Sequence, residues 1–261
     1  MFNFYSLSSS SSGNCYLIET NETKILVDVG ITVKKINTEL EKINLSLDNI
    51  DALFITHEHS DHCKSLNNIA KLYNIPIFIN KPTLNALKDK NNIEQVNYIK
   101  SNEEYIFHDL HIKPFDIPHD AAQPFGYTFK KGSKKISIAT DMGTISQEAL
   151  KALSNNNFAL IESNYDINML NAGKYPYYIK KRIASNYGHL SNNQCSEMIA
   201  QLIQKNTTNF MLGHLSVNNN FPELAMETIK SELITNNINL KDIQLSVASN
   251  DCLSNNIIIE E

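Results

Sequence analysis

Apolar residues recur along the chain in blocks of two periods, and each block predicts an element. Near the start, Asn14–Thr20 and Lys24–Asp28 are apolar runs joined by the polar triplet Asn21-Glu22-Thr23, the pattern of a β-hairpin. Lys34–Ile43 has helical spacing, Ala52–Thr56 reads as a short buried strand, and Lys64–Tyr73 as a helix stopped near Asn74 and Pro76. Ile77–Ile79 predicts a strand, and Lys81–Asp89 a helix with Pro82 in its first turn, where a missing N–H does no harm. Strands follow at Tyr105–Phe107, His111–Asp116, Gly126–Phe129 and Lys135–Thr140. Then come a helix at Ser146–Leu153, a strand at Phe158–Glu162, and helices at Lys174–Asn186 and Asn192–Gln204. The pattern closes with a strand at Asn209–Leu212, a helix at Pro222–Thr235, and strands at Gln244–Ala248 and Asn256–Ile259. The serine run Ser8–Ser12 reads as a polar loop.

A faint internal repeat organises these elements. Tyr16–Glu19, a turn and Ile25–Gly30 resemble Tyr127–Lys130, a turn and Ile136–Gly143. Each is a hairpin whose second strand ends in Asp-x-Gly. Two such halves predict an α+β fold with two mixed sheets face to face and helices outside. With no long linker in view, residues 1–261 are expected to form one domain.

Composition narrows the class. The chain has 261 residues, 42% hydrophobic and 20% charged, enough for a large core. No apolar stretch reaches the ~18 residues that span a bilayer, and Met1–Tyr5 has no basic, signal-like start. The expectation is a soluble cytoplasmic protein with no membrane partner. Cys15, Cys63, Cys195 and Cys252 are dispersed, form no C-x-x-C pair and are expected as free thiols. A net charge of −5 supplies no whole-chain basic footprint for nucleic acid, although local clusters can still bind phosphate.

Candidate chemistry concentrates in Thr56-His57-Glu58-His59-Ser60-Asp61-His62, of the form H-x-H-x-D-H, directly after the apolar run Ala52–Ile55. Ligands of α/β sheets collect at the carboxyl ends of strands, and imidazoles with a carboxylate suit Zn²⁺, Mn²⁺ or Fe²⁺. This cluster alone cannot enclose two ions. Further candidates stand at other strand ends: His119 after Pro118, Asp141 after Ile136–Thr140, and His214 after Asn209–Leu212. His189 lies in Gly188-His189-Leu190-Ser191, just before a helix. His189 also reads as part of a helix-entry turn, and it is the rival of His214 for a ligand role. His108 and His111 fall away from the motifs and read as surface or edge histidines.

The order H-x-H-x-D-H, lone His, strand-terminal Asp, strand-terminal His resembles the metallo-β-lactamase fold superfamily. Ser11–Tyr16, Thr56–His62, His119–Ala122, Glu162–Asn164, Gly188–Asn192 and His214–Ser216 resemble its YycJ/WalJ-like branch, over about Ser6 to Thr228. The resemblance implies a four-layer αββα sandwich with a dinuclear metal site at one edge. It implies that His57, His59 and His119 hold one ion, that Asp61, His62 and His214 hold the second, and that Asp141 bridges them. The cofactors would be two divalent ions, Zn²⁺ or Mn²⁺ with Fe²⁺ also suited, and a metal-activated hydroxide would perform hydrolysis. Asp61, Glu162 and His189 would be catalytic, with Glu162 orienting a protonated His189 toward the leaving oxygen. Asp28, the repeat partner of Asp141, would support the histidine loop through hydrogen bonds or simply end its strand.

Lys174–Arg182 interleaves Tyr175, Tyr177 and Tyr178 with basic residues, a composition suited to phosphates and stacked bases or to a helix with a solvated basic face. Asn14, Lys180, Lys181 and Arg182 are the expected substrate-binding residues. Lys130-Lys131 and Lys134-Lys135 flank Gly132-Ser133 and read as a charged hairpin turn. The gap from Asp141 to His214 is too short for an inserted β-CASP domain, and that from His119 to Asp141 too short for a tRNA-clamping arm. The branch resemblance implies a phosphodiesterase acting on nucleic acid, DNA favoured, as a 5′ exonuclease. A small ester, either a thioester or a cyclic phosphodiester, is the alternative substrate, and a structural or regulatory metal site is the non-enzymatic one.

Overall fold

The computed structural model describes residues 1–260. In chain order the elements are β1 (Phe2–Ser10), β2 (Gly13–Thr20), β3 (Lys24–Val27), α1 (Val33–Glu41), β4 (Ala52–Phe54), α2 (Ser60–Cys63), α3 (Leu66–Leu72), β5 (Ile77–Ile79), α4 (Lys81–Ala86) and β6 (Val96–Tyr98). The second half continues with β7 (Tyr105–Phe107), β8 (Leu110–Asp116), β9 (Phe125–Lys131), β10 (Lys134–Ala139), α5 (Gln147–Leu153), β11 (Phe158–Glu162), α6 (Ile167–Ala172), α7 (Tyr177–Ile183), α8 (Asn192–Ile203), β12 (Asn209–Gly213), α9 (Pro222–Thr235), β13 (Gln244–Val247) and β14 (Ile257–Ile258).

The strands form two seven-stranded sheets, ordered β14-β1-β2-β3-β4-β5-β6 and β7-β8-β9-β10-β11-β12-β13. Pairings run antiparallel as far as β3 in the first sheet and β10 in the second, then parallel to the far edge in both. The repeat seen in sequence is therefore a repeat of sheet topology. The one departure is the outer antiparallel strand, supplied locally by β7 in one sheet and by the distant β14 in the other.

Alternation along the strands feeds three apolar layers. Ile25 and Val27 face inward with Phe54, against Tyr127, Phe129, Ile136 and Leu160 of the opposite sheet. Phe54 stacks on Phe78 with ring centroids 4.4 Å apart and meets Tyr127 edge-on at 5.7 Å, which joins the sheets. Leu26 and Leu53 face outward against Ile36 and Leu40 of α1 and Ile69 of α3. Ala159 and Leu212 pack outward on Leu153 of α5, Ile199 of α8 and Ile229 of α9. The result is the α+β sandwich of four layers, αββα. No helix among the described residues is long and apolar enough to cross a membrane.

Several expectations need correction. Ser8–Ser10 belong to β1 and are buried; only Ser11 and Ser12 form an exposed turn. Serine can occupy a buried strand here because its hydroxyls are satisfied: Ser8 Oγ donates to Gly13 O, and Ser9 Oγ pairs with Tyr16 Oη at 2.8 Å. The helix expected at Lys64–Tyr73 is α3 alone, preceded by the separate turn α2 and set off from it at Ser65, whose N–H and hydroxyl turn to Val29 O and Ile31 O. The helix expected over Lys174–Asn186 is only α7, which begins after Pro176, and α6 and β6 were not expected at all. The four cysteines are free thiols.

Candidate metal centre

The predicted residues come from seven separate stretches and converge at the ends of β4, β10, β11 and β12. His57 and His59 stand in extended chain after β4, and the single turn of α2 brings Asp61 and His62 back beside them, the rings of His57 and His62 4.2 Å apart. His119 sits between β8 and β9, and His189 between α7 and α8. Asp28, Asp141 and His214 follow β3, β10 and β12 with φ of 61°, 60° and 54°. Left-handed backbone at a non-glycine residue costs roughly 1–3 kcal/mol and clusters at functional sites. The fold imposes it through neighbouring chain: the Asp28 N–H donates to Phe54 O, and the His214 N–H to Ser9 Oγ at 2.8 Å. The Asp-x-Gly ending has its own reason. A Cβ on Gly30 would fall 1.7 Å from Asp61 O, and one on Gly143 2.3 Å from the Asn186 carbonyl carbon. Each glycine lets a site-bearing segment lie directly on the strand end.

Potential donor atoms fall into overlapping groups, within each of which they lie no more than 4.8 Å apart: His57, His59 and His119; Asp61, His62, Asp141 and His214; and Asp141, Glu162, His189 and His214. Asp141 touches both of the first two. Its Oδ1 is 3.4 Å from His214 Nε2 and 3.7 Å from His119 Nε2, and its Oδ2 is 3.1 Å from His62 Nε2.

Hydrogen bonds behind the cluster set which nitrogen each histidine turns inward. His57 Nδ1 donates to Thr56 Oγ1 at 2.9 Å, and that hydroxyl donates to Asp28 Oδ2 at 2.8 Å. His62 Nδ1 bonds Asp28 Oδ2 at 2.7 Å, His119 Nδ1 donates to Gly188 O at 3.0 Å, and His214 Nδ1 bonds Glu162 Oε1 at 2.8 Å. Each then presents Nε2 to the centre, the arrangement by which outer hydrogen bonds orient metal-binding imidazoles. His59 approaches through Nδ1, 3.2 Å from His119 Nε2. His57 Nε2 and Asp141 Oδ2 are buried and have no hydrogen-bond partner; His62 is near Asp141 Oδ2 without hydrogen-bond geometry. Buried lone pairs with no donor are unfavourable, and cations facing them remove that penalty. The donor set thus fits divalent ions.

Charges are concentrated accordingly. Burial would push the Asp141 carboxyl up, yet His214, His62 and His57 hold it well below the usual range. Burial disfavours charge on His214, but Asp141, Asp61 and Glu162 raise it to about 10. His57 is depressed, by burial first and then by its histidine neighbours. Asp28 goes the other way: burial raises it in spite of His62 and Thr56.

Glu162 does more than orient His189. Its Oε1 lies 2.8 Å from both His189 Nδ1 and His214 Nδ1, and its Oε2 accepts from the Met142 and Leu190 N–H groups. Burial opposes its charge, but His189 and His214 hold it ionised with a pKa of about 2. The link to His214, 52 residues away in sequence, had no local signal. Two further residues escaped the sequence reading: Ser9, which positions His214, and Asn164, whose amide donates to His214 O. Asn14 does not line the mouth. It is fully buried beneath His62, donating to Ser10 O and accepting from Tyr16 Oη.

The cluster opens into a cleft of ≈ 240 Å³ lined by Asp61, Asp141, His189, His214 and, from α7, Ile179 and Arg182. A neighbouring hollow of ≈ 440 Å³ shares His59, Asp61 and Arg182. Arg182 is clamped at the mouth by Asp120, its Nη2 2.9 Å from Asp120 Oδ1. Lys181 is exposed, and half-exposed Lys180 donates to Asn171 O. Tyr177, Tyr178 and Tyr187 are largely exposed, whereas Tyr175 accepts a hydrogen bond from Asn218.

Comparison with known proteins agrees with this geometry. Residues 23–214 match the Beta-lactamase superfamily domain. The chain is 33% identical over 238 residues to exodeoxyribonuclease YycJ of Bacillus anthracis, covering 88% of each chain. It is 36% identical over 240 residues to exodeoxyribonuclease WalJ of Streptococcus pneumoniae, covering 89% of this chain and 88% of that one. Its fold superimposes on the metallo-β-lactamase fold protein YhfI of Bacillus subtilis with a TM-score of 0.72 at 12% identity, over 97% of this chain and 99% of the other. The chain belongs to the metallo-β-lactamase fold superfamily and, within it, to the YycJ/WalJ-like branch. It is a metal-dependent hydrolase.

Proposed function

We propose that this protein is a phosphodiesterase that removes nucleotides from a 5′ end of DNA. Its ligands would be His57, His59 and His119 for one divalent ion and Asp61, His62 and His214 for the other, with Asp141 shared. The observation that carries the metal assignment is the contact of one buried carboxylate with both histidine groups, next to the unpaired His57 Nε2. When bound, such ions supply Lewis acidity and bring the pKa of water toward neutrality. The protein's own residues do the rest. Arg182, fixed by Asp120, offers a guanidinium for a phosphate at the mouth. His189, held at Nδ1 by Glu162, lines the cleft and can pass a proton to the leaving oxygen. Lys181, Tyr177 and Tyr178 extend the surface outward for backbone and bases. Lys180 is the weakest of the expected contacts, because its ammonium is already engaged.

DNA as the substrate is supported by the names of the two relatives, each matched over nearly nine-tenths of its length, and by the tyrosine-lysine rim. The test is cleavage of end-labelled, 5′-phosphorylated duplex DNA, single-stranded DNA and RNA with Mn²⁺ or Zn²⁺, with Asp61→Ala as control. Stepwise loss of nucleotides from the 5′ end of DNA, absent in the variant, is the expected result. Intact polymers alongside turnover of a thioester or a cyclic phosphodiester would overturn the reading.

A further inference from the structure

A charge arrangement on the outer face of the second sheet is not explained by the metal centre. In the ladder register Lys130 stands directly opposite His111 on β8 and directly opposite Lys135 on β10. Lys113 lies two residues from His111 and so on the same face, and Lys151 of α5 reaches the same place. Like charges paired across a sheet are destabilising, and folds break such local rules where something offsets them.

These side chains line a cavity of ≈ 290 Å³. It also holds two carboxylates: Glu104 pairs with His111 at 3.3 Å, and Glu148 Oε1 accepts from the Asn102 amide and the Asp116 N–H. Lys135 Nζ donates to Ser154 O at 2.7 Å, and its ammonium is pushed below its usual pKa by burial, then by Lys130 and Lys113. Lys113, Lys130 and Lys151 have no hydrogen-bonding or ionic side-chain partner among the described residues. Four lysines thus face two carboxylates, a local excess of positive charge in a chain whose net charge is −5.

We propose that this cavity is a second anion site, separate from the metal centre, that binds a ligand bearing a phosphate group with at least two negative charges. Such a ligand neutralises lysines that now repel one another, through charge-assisted hydrogen bonds. Lys135 and Asp141 lie at opposite ends of β10, about 20 Å apart along the strand, so the two sites do not share residues. The inference stands whether or not the hydrolase acts on DNA.

The probe is inorganic pyrophosphate, titrated calorimetrically into the metal-loaded full chain. Lysine acetylation read by mass spectrometry, with and without the ion, gives the location. Pyrophosphate should protect Lys113, Lys130 and Lys151. Binding should survive Asp61→Ala and weaken at least about tenfold in Lys113→Gln/Lys130→Gln, two exposed positions whose change should not lower the melting temperature, since it relieves like-charge repulsion. Binding that vanishes in Asp61→Ala yet persists in the lysine variant, or lysines labelled equally in both states, would overturn the proposal. A competing single-stranded oligonucleotide that displaces pyrophosphate identifies the natural phosphate as part of a polymer. A 5′-mononucleotide that displaces it while the oligonucleotide does not identifies a small metabolite.

Discussion

Asp28 and Asp141 end matching strands of two sheets with the same strand order, share the same left-handed backbone, and precede a glycine two residues on. Their surroundings differ. Asp28 lies behind the histidines, and its oxygens accept from the Thr56 N–H, the Thr56 hydroxyl and His62 Nδ1. Asp141 lies among the imidazole Nε2 atoms and keeps one oxygen without a hydrogen-bond partner. Burial therefore wins at Asp28, whose carboxyl is raised, while the histidines win at Asp141, whose carboxyl is held well below its usual range. The same backbone device gives a brace in one half and a facing carboxylate in the other. What decides is which half carries the histidine-rich turn after its first parallel strand.

Substitution at each member tests that contrast. Asp141→Ala should give the largest effect, a loss of activity beyond the ~100-fold expected for an outer hydrogen-bond partner, with one metal equivalent lost by elemental analysis and the circular dichroism unchanged. Asp28→Asn should weaken metal affinity by about 10–100-fold, read by competition with a chelator, with activity recovered at high metal concentration. Recovery in the Asp141 variant and none in the Asp28 variant would reverse the roles.

Glu162→Gln sharpens the comparison, because Glu162 ends β11 where Thr56 follows β4, and both hold two site residues. We expect kcat to fall by about 10–100-fold and the pH–rate profile to move toward lower pH, since Glu162 is one of the carboxylates that raise His214. A structural role alone would lower the melting temperature and leave the profile in place.

The smallest effect is expected far from the centre, at Glu39. Its buried carboxylate is opposed by burial but held below its usual pKa by Lys42, the Leu253 N–H and Lys35. A depressed carboxyl contributes stability above its unfolded pKa and loses it as pH falls through the folded one. Glu39→Gln should destabilise by roughly 1–2 kcal/mol at pH 7 in urea titrations. The gap to the parent should close as the pH falls below about 4.

The histidine motif, the paired hairpins and the helix and strand periods were legible because each is local. What was hidden is long-range or disguised by composition. Serines at 8–10 looked like loop, and only the fold shows their hydroxyls satisfied inside β1, with Ser9 reaching His214 across 205 residues. Asn14 was expected to bind substrate, yet it is wedged under His62 and fully buried. Glu162 was placed beside His189 by family resemblance, but its second histidine depends on how β11 and β12 align, and that register is not written in either strand.

The pairing of β14 with β1, Asn3 opposite Ile258, has a consequence for the making of the protein. At roughly 5–20 residues per second, a ribosome releases β1 some tens of seconds before the strand that covers its edge. For that interval the outer amides near Phe2 and Phe4 lack their partner and stay open to pairing with a neighbouring nascent chain. Synthesis order and closure order run against each other: the edge made first is the one closed last.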